Sequence, residues 1–326
     1  FTDVILMGTK AQLDRFVRKM KQQPDCFNLL VNSVELALGS DVAIVNIGSK
    51  RYDLSKDFVV IGILNMTPDS FSDGGKFFNY DSAMKRVEEL VSAGANVIDV
   101  GGESTRPDSN VVTEQEEMER VLPIVKAVRS NFDVNVSIDS YKPQVIKEAL
   151  KLGATLVNDI SAGSAIEPVI NEIQQSGASV LAMMNNSTKG VRGETTDTDR
   201  DDPVGLFMDF CQKSKERFLN YGLDPERLIM DPGIGFGLSI NDTSNLLHGI
   251  GSVTSLGFAV CAGISRKSYV GKISGLNIDT RDPVCNAISL YLMERGVKIF
   301  RTHDPEGLKG VIKAFNAIQG VSKCWI

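Results

Sequence analysis

Hydrophobic and polar positions follow one rhythm up to about residue 57 and another after it. Past that point short apolar runs recur at Phe58–Leu64, Asn96–Val100, Val134–Ile138, Thr155–Val157, Ser179–Met184, Arg227–Met230, Ala259–Ala262 and Val297–Phe300. Runs with so little internal alternation predict strands covered on both faces, as in a parallel sheet. Between them, apolar residues fall at helical spacing over Ser82–Ala93, Glu114–Ser130, Pro143–Leu152, Ala165–Gln175, Pro203–Tyr221, Asn241–Ser255, Pro283–Arg295 and Glu306–Ile318. Start and stop signals agree: Asp81 and Thr113 stand before helices and Pro143, Pro203 and Pro283 open them. Gly94, Gly153, Gly177, Gly222, Gly257 and Gly296 close them. Eight such units in about 260 residues predict an α/β fold, a (β/α)8 TIM barrel over 58–320. A doubly wound sheet shares the alternation, but no GxGxxG follows the first strand.

Residues 1–57 read as a small N-terminal α+β extension. Leu13, Phe16, Val17 and Met20 share one face of a helix predicted over Lys10–Gln23, which Pro24 ends. A second helix is expected over Phe27–Leu38, and a hairpin pairs Val42–Ile47 with Lys50–Leu54 across Gly48-Ser49. No catalytic constellation falls in this segment, which reads as a cap or the remnant of an upstream module.

Composition narrows the partners. The 326 residues are 42% hydrophobic and 23% charged, as expected of a globular protein with one large domain. The net charge of −6 argues against nucleic acid or an acidic membrane as the main partner. No apolar stretch approaches the roughly 20 residues that span a bilayer. Cys26, Cys211, Cys261, Cys285 and Cys324 are scattered and lack CxxC pairing, which predicts reduced thiols, a cytoplasmic setting and no zinc site. The chain opens on Phe1 and not on Met, which predicts a trimmed or partial polypeptide and leaves a lost targeting segment open.

The polar residues gather where the predicted strands end. They are Asn65 after the first, Gly101 to Pro107 after the second, Asp139 after the third, and Asn158 and Asp159 after the fourth. Met183 to Asn185 follow the fifth, Asp231 to Gly237 the sixth, Gly263 to Ser268 the seventh, and Arg301 to His303 the eighth. A single Asp behind a strand usually caps a helix, and a single His is usually a surface residue. Asn, Asp, Lys, Arg and His together at successive strand ends define a site, at the end of a barrel where ligands bind. Asp139, Asn158, Asp231 and Lys267 supply acceptors, a two-sided amide and a cation, suited to the edge of a flat heterocycle. Arg301, His303, Arg106 and Asn65 form a cationic, polar set suited to phosphate or pyrophosphate, and Asn65 suits a Mg²⁺ that keeps most of its waters. Neither a paired carboxylate acid and base nor a Ser-His or Cys-His pair is evident, which points to a leaving group that departs readily.

These residues lie in segments that resemble the dihydropteroate synthases, in order: GILNMTPDSFSDGG (62–75), GGESTRP (101–107), SIDSYKP (137–143), NDI (158–160), DPGIGFG (231–237), SRKS (265–268) and RTHD (301–304). The resemblance covers about Phe58 to Ile318. It implies condensation of a dihydropterin pyrophosphate with p-aminobenzoate, by an SN1-like path in which pyrophosphate leaves first. By motif position it assigns the pterin to Asp139, Asn158, Met183, Asp231, Gly235 and Lys267. It assigns pyrophosphate to Asn65, Arg106, Arg301 and His303, with Mg²⁺ on Asn65 and the first loop, Thr67–Gly75, as a lid. It assigns p-aminobenzoate to Thr105, Arg106, Pro107, Phe236, Lys267 and Ser268, and names Asp139, Lys267, Arg301 and His303 as the catalytic set. A homodimer is implied as well. The chain departs from the family pattern at Met184, usually His, at Leu238, often Lys, and through Asn185–Asp202. Two rivals are a methyltetrahydrofolate-binding methyltransferase, which has no use for the pyrophosphate set, and a pterin-binding barrel without activity.

Overall fold

A computed structural model describes residues 9–23, 31, 34, 43–66, 80–104, 109, 111–187, 196 and 198–322. Two short strands, β1 (Ile44–Ile47) and β2 (Lys50–Asp53), make an antiparallel hairpin. Eight parallel strands follow: β3 (Val59–Asn65), β4 (Val97–Gly101), β5 (Asn135–Asp139), β6 (Leu156–Asp159), β7 (Ser179–Met183), β8 (Leu228–Asp231), β9 (Cys261–Ala262) and β10 (Ile299–Thr302). Their order is β8-β7-β6-β5-β4-β3-β10-β9. The ends of that sheet meet through a parallel bridge between Met230 and Val260, with the Met230 N–H donating to the Ala259 carbonyl at 2.8 Å. The chain is therefore a (β/α)8 barrel whose last seam is its thinnest. The run Ala259–Ala262 was expected as one strand; its first half joins β8 and only Cys261 and Ala262 pair with β10.

The helices are α1 (Lys10–Met20), α2 (Tyr80–Ser92), α3 (Glu114–Asn131), α4 (Pro143–Lys151), α5 (Ile170–Ser176), α6 (Pro203–Asn220), α7 (Ile240–Thr254), α8 (Ser268–Ser274), α9 (Asp282–Met293) and α10 (Pro305–Ser322). Thr113 closes a reciprocal capping box with Glu116 at the start of α3. Asp81, expected as a cap, lies inside the first turn of α2, which starts at Tyr80. The helix expected from Ala165 begins at Ile170, after a 3-10 turn over Glu167–Val169. The seven-residue α8 is too short to show a helical period and has no counterpart in the sequence reading. The helix expected over Phe27–Leu38 falls largely outside the described residues, of which Val31 and Val34 are helical.

Two apolar cores result from the strand pleat. Outward residues such as Val60, Leu64, Val100, Ile138, Val157, Val180 and Phe300 pack under the helices. Inward residues Val59, Ile61, Val97, Leu156, Leu181, Ile229, Cys261 and Ile299 fill the lower lumen, where Val45, Ile47, Tyr52 and Leu54 of the hairpin segment meet them. The hairpin thus stops the floor of the barrel, and the open end lies at the carboxyl ends of the strands.

Candidate active site

The alternation that buries Ile61 and Val97 inside the barrel carries the same face upward to polar residues. Asn65, Gly101, Asp139 and Asn158 stand level across neighbouring strands, as successive partners along β3, β4, β5 and β6. Met183 of β7 is level with Asp231 of β8. One step below lies Asp99, inside the apolar run of β4 and 1% exposed. Arg301 reaches across the lumen from β10, donating from Nε to Asp99 Oδ2 and from an Nη to Asp139 Oδ2, both at 2.5 Å. Asp99 Oδ2 also accepts from Asn158 Nδ2 at 3.2 Å.

Asp231 and Lys267 occupy the neighbouring sector around the bare backbone of Gly263. A Cβ there would lie 3.5 Å from Asp231 Oδ2 and 3.9 Å from Lys267 Nζ. Lys267 donates to the Ile234 carbonyl at 2.5 Å, and its Nζ lies 5.1 Å from the centre of the Phe236 ring. Phe236 packs with Met183, Ile160 and Tyr141 to make an apolar wall. The sixth loop is shaped by glycines that no other residue replaces. Gly233 has φ +69°, its N–H donates to Asp231 Oδ1 at 2.7 Å, and a Cβ there would fall 1.7 Å from the Met184 carbonyl oxygen. Gly235 faces the Lys267 stem. Ser268 is the first residue of α8, directly behind Lys267.

His303 sits at the mouth beside β3. Its Nε2 lies 3.4 Å from Asn65 Nδ2 and its Nδ1 2.9 Å from Ser265 Oγ. Arg86 of α2 holds the His303 carbonyl at 2.6 Å. Burial, with Arg301 and Arg266 nearby, pushes the imidazole down to about 3. The sequence places His303 in a cationic set; in the free protein its burial, with Arg301, Arg266 and Arg86 close by, favours the neutral ring. Burial raises Asp139 to about 7, with Arg301 pulling it down and Asp99 and Glu117 pushing it up. Asp231 is likewise raised by burial against the pull of Lys267. Burial lowers Lys267 to about 8, although Asp231 opposes that shift. Burial alone would lower Arg301, but Asp99 and Asp139 raise it on balance.

Asp159, grouped with the strand-end acids, takes no part in the pocket: its carboxylate caps the following loop through the N–H groups of Ser161 at 2.8 Å and Gly163 at 2.7 Å. Met184 turns outward into the layer under the helices, so the absent His removes nothing from the lumen. Leu238 joins that same core. Past the undescribed part of the fifth loop, Arg200 pairs with Asp242 at 3.1 Å and Asp199 accepts from Ser239 at 2.6 Å, which ties this segment to the start of α7. Thr105, Arg106, Pro107 and the lid Thr67–Gly75 lie outside the described residues. Their root is described, and the sequence reading missed it. Glu103 accepts from Lys142 at 2.6 Å and from Tyr141 Oη at 2.9 Å, and Lys142 also bonds Glu117 at 2.6 Å. Asp99 and Ser265 were missed too. Asp99 could have been found by parity, since it shares the inward face with Val97 and Gly101.

A family description of pterin binding enzymes matches residues 61–303. The chain is 39% identical over 258 residues to a dihydropteroate synthase of Haemophilus influenzae, covering 79% of this chain and 93% of that one. A Yersinia pestis dihydropteroate synthase solved with a sulfonamide drug complex superposes with a TM-score of 0.76 at 34% identity, over 85% of this chain and 99% of that one. The Burkholderia cenocepacia enzyme, complexed with 7,8-dihydropteroate, gives 0.76 at 31% identity over 86% and 98%. The fold and the residues at its mouth define a pterin-binding barrel enzyme. Within that class the chain belongs to the dihydropteroate synthases, which are transferases.

Proposed function

We propose that the pocket condenses 6-hydroxymethyl-7,8-dihydropterin pyrophosphate with p-aminobenzoate to give 7,8-dihydropteroate and pyrophosphate. The observation that carries the proposal is Arg301 held between two carboxylates, with Lys267 and Asp231 beside it and the Met183–Phe236 wall opposite polar groups. Such a lumen takes a flat, polar-edged ring and an anionic tail together. Asp139 and Asp231 accept from the N–H groups of the pterin edge, and Asn158 offers its Oδ1. Met183 and Gly235 line the ring, and Phe236, Lys267 and Ser268 face the p-aminobenzoate side, to which the family resemblance also assigns Thr105, Arg106 and Pro107. A sulfonamide, as in the Yersinia pestis relative, would compete on that side.

The C–O bond to pyrophosphate breaks with its electron pair going to oxygen. The arylamine nitrogen then forms the new C–N bond and loses a proton. Arg301, already charged, meets the growing negative charge of the leaving group, where stabilisation lowers the barrier rather than the ground state. Neutral His303 orients the Asn65 amide there through its Nε2. Charged Asp139 faces the positive charge that spreads into the pterin. Among the described residues no cluster of His, Cys, Asp and Glu could cage a metal, and the donor set suits an ion held mostly by water and substrate phosphate. With Asn65 Nδ2 turned to His303, its Oδ1 is the group that would hold a Mg²⁺. When bound, that ion would share the charge of the departing pyrophosphate. The methyltransferase alternative leaves Asn65, Arg301 and His303 without a task.

A homodimer is proposed from the family, supported by exposed Ile273, Leu276, Leu290 and Tyr291; light scattering checks it. A cytoplasmic setting is supported by the free, buried thiols of Cys211, Cys261 and Cys285. Calorimetric titrations test the division of the pocket. Asp139→Ala should lose pterin binding by more than about 100-fold, since a charge-assisted pair is lost. Ser268→Ala should raise the KM for p-aminobenzoate several-fold and leave pterin affinity alone. Unchanged pterin affinity in Asp139→Ala would move the pocket elsewhere.

A further inference from the structure

Asp99 lies beneath the mouth of the pocket and is the point where two pocket residues are fixed. It stands one layer below Asn65, Gly101 and Asp139, is 1% exposed, and its strand neighbours at the same level are Ile63 and Ser137. A charged group so deep in a lumen is costly unless paired. Its Oδ2 is paired twice, with Arg301 Nε at 2.5 Å and Asn158 Nδ2 at 3.2 Å.

Each bond settles a question the pocket leaves open. A carboxylate only accepts, so Asn158 must turn its NH2 down to Asp99 and its Oδ1 up to the pocket. An amide in that place without Asp99 could present either end. Arg301 has a second anchor, Asp139, but Asp139 is also the acceptor proposed for the pterin edge, so its carboxylate is divided between cation and ring. Asp99 grips the guanidinium from the Nε side, one layer below Asp139, so the cation stays aimed when Asp139 turns to the ring. We propose that Asp99 is a positioning residue that fixes the Asn158 amide and the Arg301 guanidinium together, coupling recognition of the ring to departure of the anionic tail. The inference rests on the synthase reading above.

The test is Asp99→Asn, the same shape without the charge, in the full chain with Mg²⁺. The expected result is a fall in kcat of about 10- to 100-fold, the scale of one charge-assisted hydrogen bond. The KM for the pterin substrate should rise several-fold while that for p-aminobenzoate stays within about twofold. The acid limb of the pH profile should also move to lower pH. The charged groups facing Asp139 are Arg301 from β10, Asp99 from β4, Glu117 from α3 and Lys267 ahead of α8, and the variant removes one of the two acids that push it up. A side chain needed only for packing would leave that limb in place. Wild-type-like kcat, pterin KM and acid limb overturn the inference. A wild-type chain that makes no dihydropteroate overturns the synthase reading instead.

Asp139→Asn provides a second test independent of how Asp99→Asn folds. With Asp99 intact, Arg301 should stay in place, so calorimetry with inorganic pyrophosphate and Mg²⁺ should give an affinity within about threefold of wild type. A loss of 30-fold or more would make Asp139 the anchor and overturn the inference.

Discussion

Arg301 is one cation shared by a buried and a half-buried carboxylate, and its neighbours titrate as that crowding requires. Asp139 is pushed up to about 7 by burial, while Lys267 is pulled down to about 8. The proposed chemistry needs Asp139 charged to accept from the pterin and Lys267 protonated. Below about 7 the first condition fails, and above about 8 the second does. The expected kcat/KM profile for the pterin substrate is therefore a narrow bell between those limits. A stopped-time assay across pH 5 to 10, roughly, checks it; a profile flat to pH 5 would mean Asp139 is not the acceptor. His303 adds no limb in this range, since burial and the nearby guanidinium groups keep it neutral. Its residue type was legible in the sequence but its charge state was not, because that depends on its burial and on Arg266 and Arg86 arriving from other segments.

At the scale of elements, strand runs and helix signals located the barrel because each was local: an apolar run, a Thr113 cap, a Pro at a helix start. What escaped were contacts between distant segments. Lys142 looked like the residue before an N1 proline, and Glu103 like part of a loop motif. Together with Glu117 they form a buried cluster, with side chains 10%, 4% and 1% exposed. Lys142 also donates to the Val112 carbonyl at 2.6 Å, so one ammonium ties β4's exit, the start of α3 and the start of α4. Lys142→Met would remove the ammonium that these two buried acids share. The expected loss is about 3–5 kcal/mol of unfolding free energy. It should come with a raised KM for p-aminobenzoate, because Glu103 roots the loop carrying Thr105, Arg106 and Pro107. Denaturant titration reads the first effect; an unchanged midpoint would show that the cluster contributes nothing net. Asp99 escaped for the opposite reason. It was local but sat inside an apolar run, where the strand pattern hid a charge that only parity with Gly101 exposes.

For the whole molecule, the barrel separates stability from chemistry along its axis. The inward face of the hairpin and the lower lumen are apolar, with Val45 and Ile47 fully buried, and the charged groups of the pocket stand at the opposite end. The role of the hairpin as a floor could not be read from the extension alone, since its partners Ile61, Leu181 and Ile229 lie on three separate strands. The seven motifs, by contrast, carried the site in the sequence because every strand delivers its inward residue to one mouth. Mixing the purified chain with the dihydropterin pyrophosphate, p-aminobenzoate and Mg²⁺ tests that reading most directly. The expected result is dihydropteroate and pyrophosphate in equal amounts, with no turnover when p-aminobenzoate is left out. Absence of both products, where a control synthase makes them, would contradict it.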